Sequence, residues 1–99
     1  MEKTIKNVVR KRYNVDVEKI TPMGGGFYAR VFLADIPCVP NKIILKLYLM
    51  PGLSRKECQQ IEVLSKSAKL KMPALFWIEP VQENVEYEVL AMEYLPGSN

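Results

Sequence analysis

The sequence predicts an α+β domain: a five-stranded antiparallel sheet with one helix packed against it between the third and fourth strands, and a further helix at the N-terminus. Three observations predict it. A charged opening segment carries a helical apolar stripe, five short runs of β-branched, aromatic and aliphatic residues follow, and Gly and Pro clusters separate those runs. Hairpin-length connections join most of the runs, and one longer, helix-like stretch crosses between the third and the fourth.

Residues 2 to 13 place Ile5, Val8, Val9 and Tyr13 at i, i+3, i+4 and i+8 among Lys and Arg, the stripe of a short amphipathic helix. Its polar face holds much of the basic excess. Val15, Val17 and Ile20 predict a first strand over Val15 to Met23, and Gly24, Gly25 and Gly26 predict a tight turn after it. Phe27 to Ile36 is rich in aromatic and apolar residues and suits a second strand antiparallel to the first, ended by Pro37 and Pro40. Lys42 to Leu49 is nearly continuous apolar sequence with Lys46 alone in its middle. It predicts a central strand covered on both faces and a buried Lys46 that needs an anion.

Ser54 and Glu57 have capping-box spacing, and a helix is expected from there to about Leu70, with Ile61, Leu64 and Ala68 on its apolar face. Glu57 falls one turn before Ile61 on that face, whereas Glu62 lies about 100° round from Ile61. A fourth strand is expected over Ala74 to Val81, a turn over Gln82 to Asn84, and a fifth strand over Val85 to Leu95, followed by Pro96-Gly97-Ser98-Asn99. Trp77, Phe76 and Tyr87 are expected in the sheet core.

Ninety-nine residues and 11.4 kDa are expected to make a single domain over 1–99. The net charge of +3 is too weak to imply nucleic acid, although the basic first helix keeps that class open as a rival. Cys38 and Cys58 have no metal-ligand spacing, which fits free thiols in a reducing compartment. The charged start and the absence of an 18-residue apolar run predict a cytoplasmic protein with no membrane segment. With no histidine, the chain excludes a His-dependent triad, a His-ligated metal and a His general base from its own residues, and no metal site is expected.

Three features then follow one another: a glycine-rich turn between the first two strands, a lone lysine in the third, and a carboxylate on the next helix. Lys46 follows Gly26 by twenty residues, and Glu57 follows Lys46 by eleven. Glycines let backbone N–H groups approach phosphate oxygens, the lysine brings charge to the α- and β-phosphates, and the glutamate holds the lysine. Each also has a plainer role. Three glycines can be a hairpin turn, a strand lysine can snorkel, and Glu57 can cap its helix, which would leave Glu62 as the lysine's partner.

On Gly24-Gly25-Gly26-Phe27-Tyr28-Ala29-Arg30-Val31-Phe32, Ile43-Ile44-Leu45-Lys46, Glu57-x-x-x-Ile61 and Leu90-Ala91-Met92-Glu93-Tyr94-Leu95-Pro96-Gly97, the chain resembles the N-terminal lobe of the aminoglycoside phosphotransferase and choline/fructosamine kinase superfamily. The resemblance implies a protein-kinase-like small lobe that binds ATP and ends at the hinge. Gly24, Gly25 and Gly26 would cover the phosphates, Lys46 would position them and Glu57 would orient Lys46. Val31, Ile44 and Met92 would enclose the adenine, with the Glu93 carbonyl and the Leu95 N–H on its edge. The family's catalytic base and Mg²⁺ ligands belong to a C-terminal lobe expected to be absent here. The only aspartates are Asp16 and Asp35, both before the lysine. The resemblance thus implies the ATP-binding part of an enzyme that phosphorylates a hydroxyl of a small molecule, inactive as this chain alone, with Mg²⁺ and acceptor bound only in a full-length parent. The rival is a non-catalytic interaction or self-associating module.

Overall fold

The computed structural model describes residues 1–26, 28–50 and 74–95. They form one helix, α1 (Glu2–Tyr13), and five strands: β1 (Lys19–Gly25), β2 (Ala29–Asp35), β3 (Lys42–Tyr48), β4 (Leu75–Glu79) and β5 (Glu88–Glu93). All neighbouring strands pair antiparallel, in the order β1-β2-β3-β5-β4. The fold is therefore α+β with a five-stranded antiparallel sheet and an N-terminal helix. The helix expected near Ser54 to Leu70 lies outside the described residues.

The strand order follows from the length of one connection. β3 and β4 both run antiparallel to β5, so they run parallel to each other, and the chain leaves β3 after Tyr48 and re-enters the sheet at Leu75 on the far side of β5. Parallel strands on either side of a third need a crossover of a dozen or more residues, and residues 49–74 supply that length.

The apolar stripe of α1 does what its spacing predicts. Ile5, Val8 and Val9 are fully buried and join Ala34, Ile36, Ile43, Leu45, Leu47, Val85, Val89 and Ala91 in the main core. Alternation along β3 sends Ile43, Leu45 and Leu47 to the α1 side and Ile44, Lys46 and Tyr48 to the other. A second cluster, Ala29, Tyr48 and Leu90 with Leu75, Ile78 and Met92, lies on that other face.

The C-terminal turn of α1 is pinned to the end of β4. Glu79 is only 1% exposed, and its carboxylate accepts hydrogen bonds from Lys11 Nζ (2.6 Å), Arg12 Nε (2.7 Å) and Gln82 Nε2. Arg12 also donates to the Ile78 carbonyl and places its guanidinium carbon 4.8 Å from the Trp77 ring centroid. Trp77 donates its indole N–H to the Tyr13 hydroxyl at 3.0 Å. Burial pushes the Glu79 carboxyl up, but the bonds from Lys11 and Arg12 outweigh it and hold the group below the usual carboxylate range.

Four expectations require correction. The first strand does not end before the glycines: Gly24 and Gly25 pair with Val31 and Arg30, after a bulge that leaves Met23 without a partner. Pro22 has no N–H for the ladder, and the two glycines adopt φ values of 115° and 152° that other residues resist. Val15 and Val17, expected in that strand, precede it and pack against the main core. Phe76 is 40% exposed rather than in the core, because the register shift between Leu75 and Trp77 breaks the alternation of edge strand β4 at that residue. Trp77 and Tyr87 do pack against the core. Lys46 is half-buried rather than buried. The fifth strand is also shorter than expected, because Val85 pairs with Gln82 in an isolated bridge ahead of β5.

Candidate functional site

Register brings several of the singled-out residues into one row. Gly24 pairs with Val31, Val31 with Lys46, Lys46 with Leu90, and Leu90 with Ile78, so the row runs across all five strands. Adjacent strands lie about 4.8 Å apart, which sets Gly24 about 10 Å across the sheet from Lys46. The next row on the same face pairs Leu33 with Ile44 and Ile44 with Met92. Val31, Ile44, Lys46 and Met92 therefore share one face of the sheet, opposite the one that α1 covers.

Lys46 is the only cation within that row. It sits among apolar neighbours with its ammonium 5.5 Å from the Tyr48 ring centroid. Central placement in β3 fixes its backbone through ladders on both sides. Glu57 and Glu62, its two candidate partners, lie outside the described residues, as does Phe27.

The glycine segment is closely held. Gly25 lies directly against the returning strand: a Cβ there would stand 2.6 Å from the Ala29 carbonyl oxygen and 2.9 Å from the Arg30 Cα. Gly24 and Gly26 face open space. Gly26 donates its N–H to the Ala29 carbonyl at 3.0 Å, and Leu49 donates to the Tyr28 carbonyl at 2.7 Å. The turn is thereby tied both to its own hairpin and to the end of β3. The Gly26 N–H, one of the donors expected to face phosphate, is engaged within the turn.

At the other end of the sheet, Glu93 closes β5 and Leu95 lies two residues beyond it, both half-buried. The Glu93 N–H donates to the Ala74 carbonyl at 2.8 Å, while its side-chain Oε1 accepts from the Ala74 N–H at 3.3 Å. A groove of about 530 Å³ lies there, lined by Pro40, Asn41, Lys42, Phe76, Glu93 and Tyr94. Of the candidate nucleotide-binding residues, only Glu93 lines it. Lys42 in this groove is 2.8 Å from Asp35, whose hydrogen bond and charge raise the lysine above its ordinary range.

Sequence reasoning missed two groups. Glu79 was passed over because its partners, Lys11 and Arg12, are 68 and 67 residues away. Arg30 was read only as part of a motif, although it stands four residues after Gly26 and donates to its carbonyl. Cys38 is a free thiol, half-buried, and Cys58 lies outside the described residues. Among the described residues no group of three or more His, Cys, Asp or Glu side chains is placed to hold a metal ion, and no helix is long and apolar enough to cross a membrane. The two aspartates are both engaged, Asp16 with Arg10 at 2.7 Å and Asp35 with Lys42.

No protein family, curated protein or solved structure matches the chain.

Proposed function

We propose that this chain is the nucleotide-binding part of a small-molecule phosphotransferase, a kinase-like small lobe that binds ATP on the sheet face carrying Lys46. The observation that supports it best is the row Gly24, Val31, Lys46, which brings a glycine segment, an apolar side chain and a lysine onto one face in adjacent strands. In this reading the half-buried Lys46 ammonium meets the α- and β-phosphates. Val31, Ile44 and Met92 form an apolar wall for the adenine ring. The Glu93 carbonyl and the Leu95 N–H meet its polar edge. The reaction of the whole enzyme would carry the γ-phosphoryl group to a hydroxyl of a small acceptor. The groups for that step are not among the described residues: both aspartates are paired with cations, and no metal-binding cluster is present there.

The test is calorimetric titration of the 99-residue chain with ATP and with adenosine, for wild type and Lys46→Ala. ATP is expected to bind more tightly than adenosine to wild type, and the preference to disappear in Lys46→Ala, with no ADP formed in either case. Equal binding of the two ligands by wild type sinks the proposal.

Exposed Phe76 on the outermost strand favours a second reading, an interaction module that pairs through its sheet edge. Sedimentation in which Phe76→Lys dissociates an oligomer of the wild type supports it. A wild type that stays monomeric at high concentration rules out self-association.

A further inference from the structure

Arg30 is the first residue of β2 to pair beyond the glycine turn, opposite Gly25. Its side chain leaves the sheet on the α1 side, since Phe32 and Ala34 at the same parity pack against the main core, and its partner across β3 is core residue Leu47. From there Nη1 donates to the Gly26 carbonyl and, at 3.4 Å, to the Ala29 carbonyl. Both bonds leave one nitrogen, Nη1, and the planar guanidinium fork fixes the direction of its two N–H groups, which a freely rotating ammonium does not.

Nothing else among the described residues holds the Gly26 carbonyl in place. The Gly26 N–H is tied to the Ala29 carbonyl, but a Cβ there would meet nothing within 4 Å, so packing adds nothing to that tie. Glycine itself imposes little conformational preference. The direction of that carbonyl matters for an anion. Turned toward the Lys46 side, it would set the negative end of a peptide dipole against phosphate oxygens; a bond to Arg30, whose side chain leaves the sheet on the α1 side, would hold it away from them.

We propose that Arg30 is a positioning residue for phosphate binding: it bridges the Gly26 and Ala29 carbonyls from the α1 side, fixing the glycine turn and clearing the Lys46 side for a polyphosphate. The proposal rests on the ATP reading above. Arg30 does not touch the phosphates. It acts through Gly26.

The full chain is titrated with ATP and with adenosine as wild type, Arg30→Ala and Arg30→Lys, and the amide hydrogen exchange of Gly26 is followed in each. Arg30→Ala is expected to weaken ATP binding about tenfold, the scale of one charge-assisted hydrogen bond, with adenosine affinity unchanged and Gly26 exchange accelerated. Arg30→Lys keeps the charge without the fork and is expected to recover only a minor part of both effects. Full recovery by lysine overturns the proposal, because charge alone would then suffice. Unchanged Gly26 exchange in Arg30→Ala overturns it too. A wild type that prefers ATP while Arg30→Ala keeps that preference overturns the role of Arg30 and leaves the ATP reading standing. A wild type with no preference for ATP removes both.

Discussion

Arg12 and Glu79, sixty-seven residues apart in sequence, meet at 2.7 Å and fasten the last turn of α1 to the end of β4. The carboxylate is buried while the guanidinium stays partly exposed, so the desolvation cost falls mainly on Glu79 and three donors share in meeting it. Arg12 brings more than charge, since it also holds the Ile78 carbonyl and covers Trp77.

Arg12→Ala is expected to destabilise the fold by about 2–3 kcal/mol, the sum of a charge-assisted hydrogen bond to a buried acceptor and lost cover over Trp77. Lys11→Ala should cost only about 1 kcal/mol, because Lys11 is half exposed and Arg12 still serves Glu79. Chemical denaturation curves of the two variants check the order; equal losses would refute it.

The same carboxylate should make the fold sensitive to acid. Its folded-state pKa lies below the 4.5 of the free group, so between the two values the unfolded chain binds more protons than the folded one and stability rises with pH. The contribution is complete above about pH 4.5 and is lost as pH falls through the folded value. Glu79→Gln should lower stability at pH 7 and flatten the acid side of a melting-temperature profile. A Gln variant with an acid slope as steep as wild type's would assign acid unfolding to other groups.

The glycines should differ sharply in their tolerance of alanine. Gly25→Ala must push a methyl into the Ala29 carbonyl at a positive φ, a cost of about 2–3 kcal/mol, and Gly24→Ala bears backbone strain alone, about 1–2 kcal/mol. Gly26→Ala meets nothing and should change stability by about 0.5 kcal/mol or less. Thermal melts of the three variants test this ranking.

Leu45→Ala removes a fully buried side chain from the middle of the central strand and should cost about 2–5 kcal/mol, or abolish folding of so small a core. Met92→Ala, half-buried on the opposite face, should cost about 1–2 kcal/mol. If the two losses are equal in urea titration, the α1-side core is not the dominant one.

Much of this architecture could be read locally. The helix stripe of Ile5, Val8 and Val9 and the apolar run around Lys46 carry their own periodicity, and Gly and Pro mark the breaks between strands. What depends on distant partners was not legible. The bulges at Met23 and Phe76 arise from register between strands, and alternation along one strand cannot reveal them. The placement of β5 between β3 and β4 needs pairing preferences that no single segment carries. Of the candidate site, the shared face of Val31, Ile44, Lys46 and Met92 follows from parity once the register is known. The tie from Arg30 to Gly26 depends on where a turn directs a carbonyl, and residue types do not reveal that.

The position of β5 bears on how the protein is made. The strand that joins the two halves of the sheet, β5, which supplies pairing partners for both β3 and β4, is the last of the five described strands to be synthesised. Until residues 88–93 leave the ribosome, the N-terminal three strands and α1 have neither Val89 nor Ala91 to complete their core, and β4 has no strand to pair with among those described. The decisive step in folding of this domain therefore waits for β5. A ribosome stalled before β5 emerges would hold a nascent chain open to proteolysis, and release of a few more residues would close it.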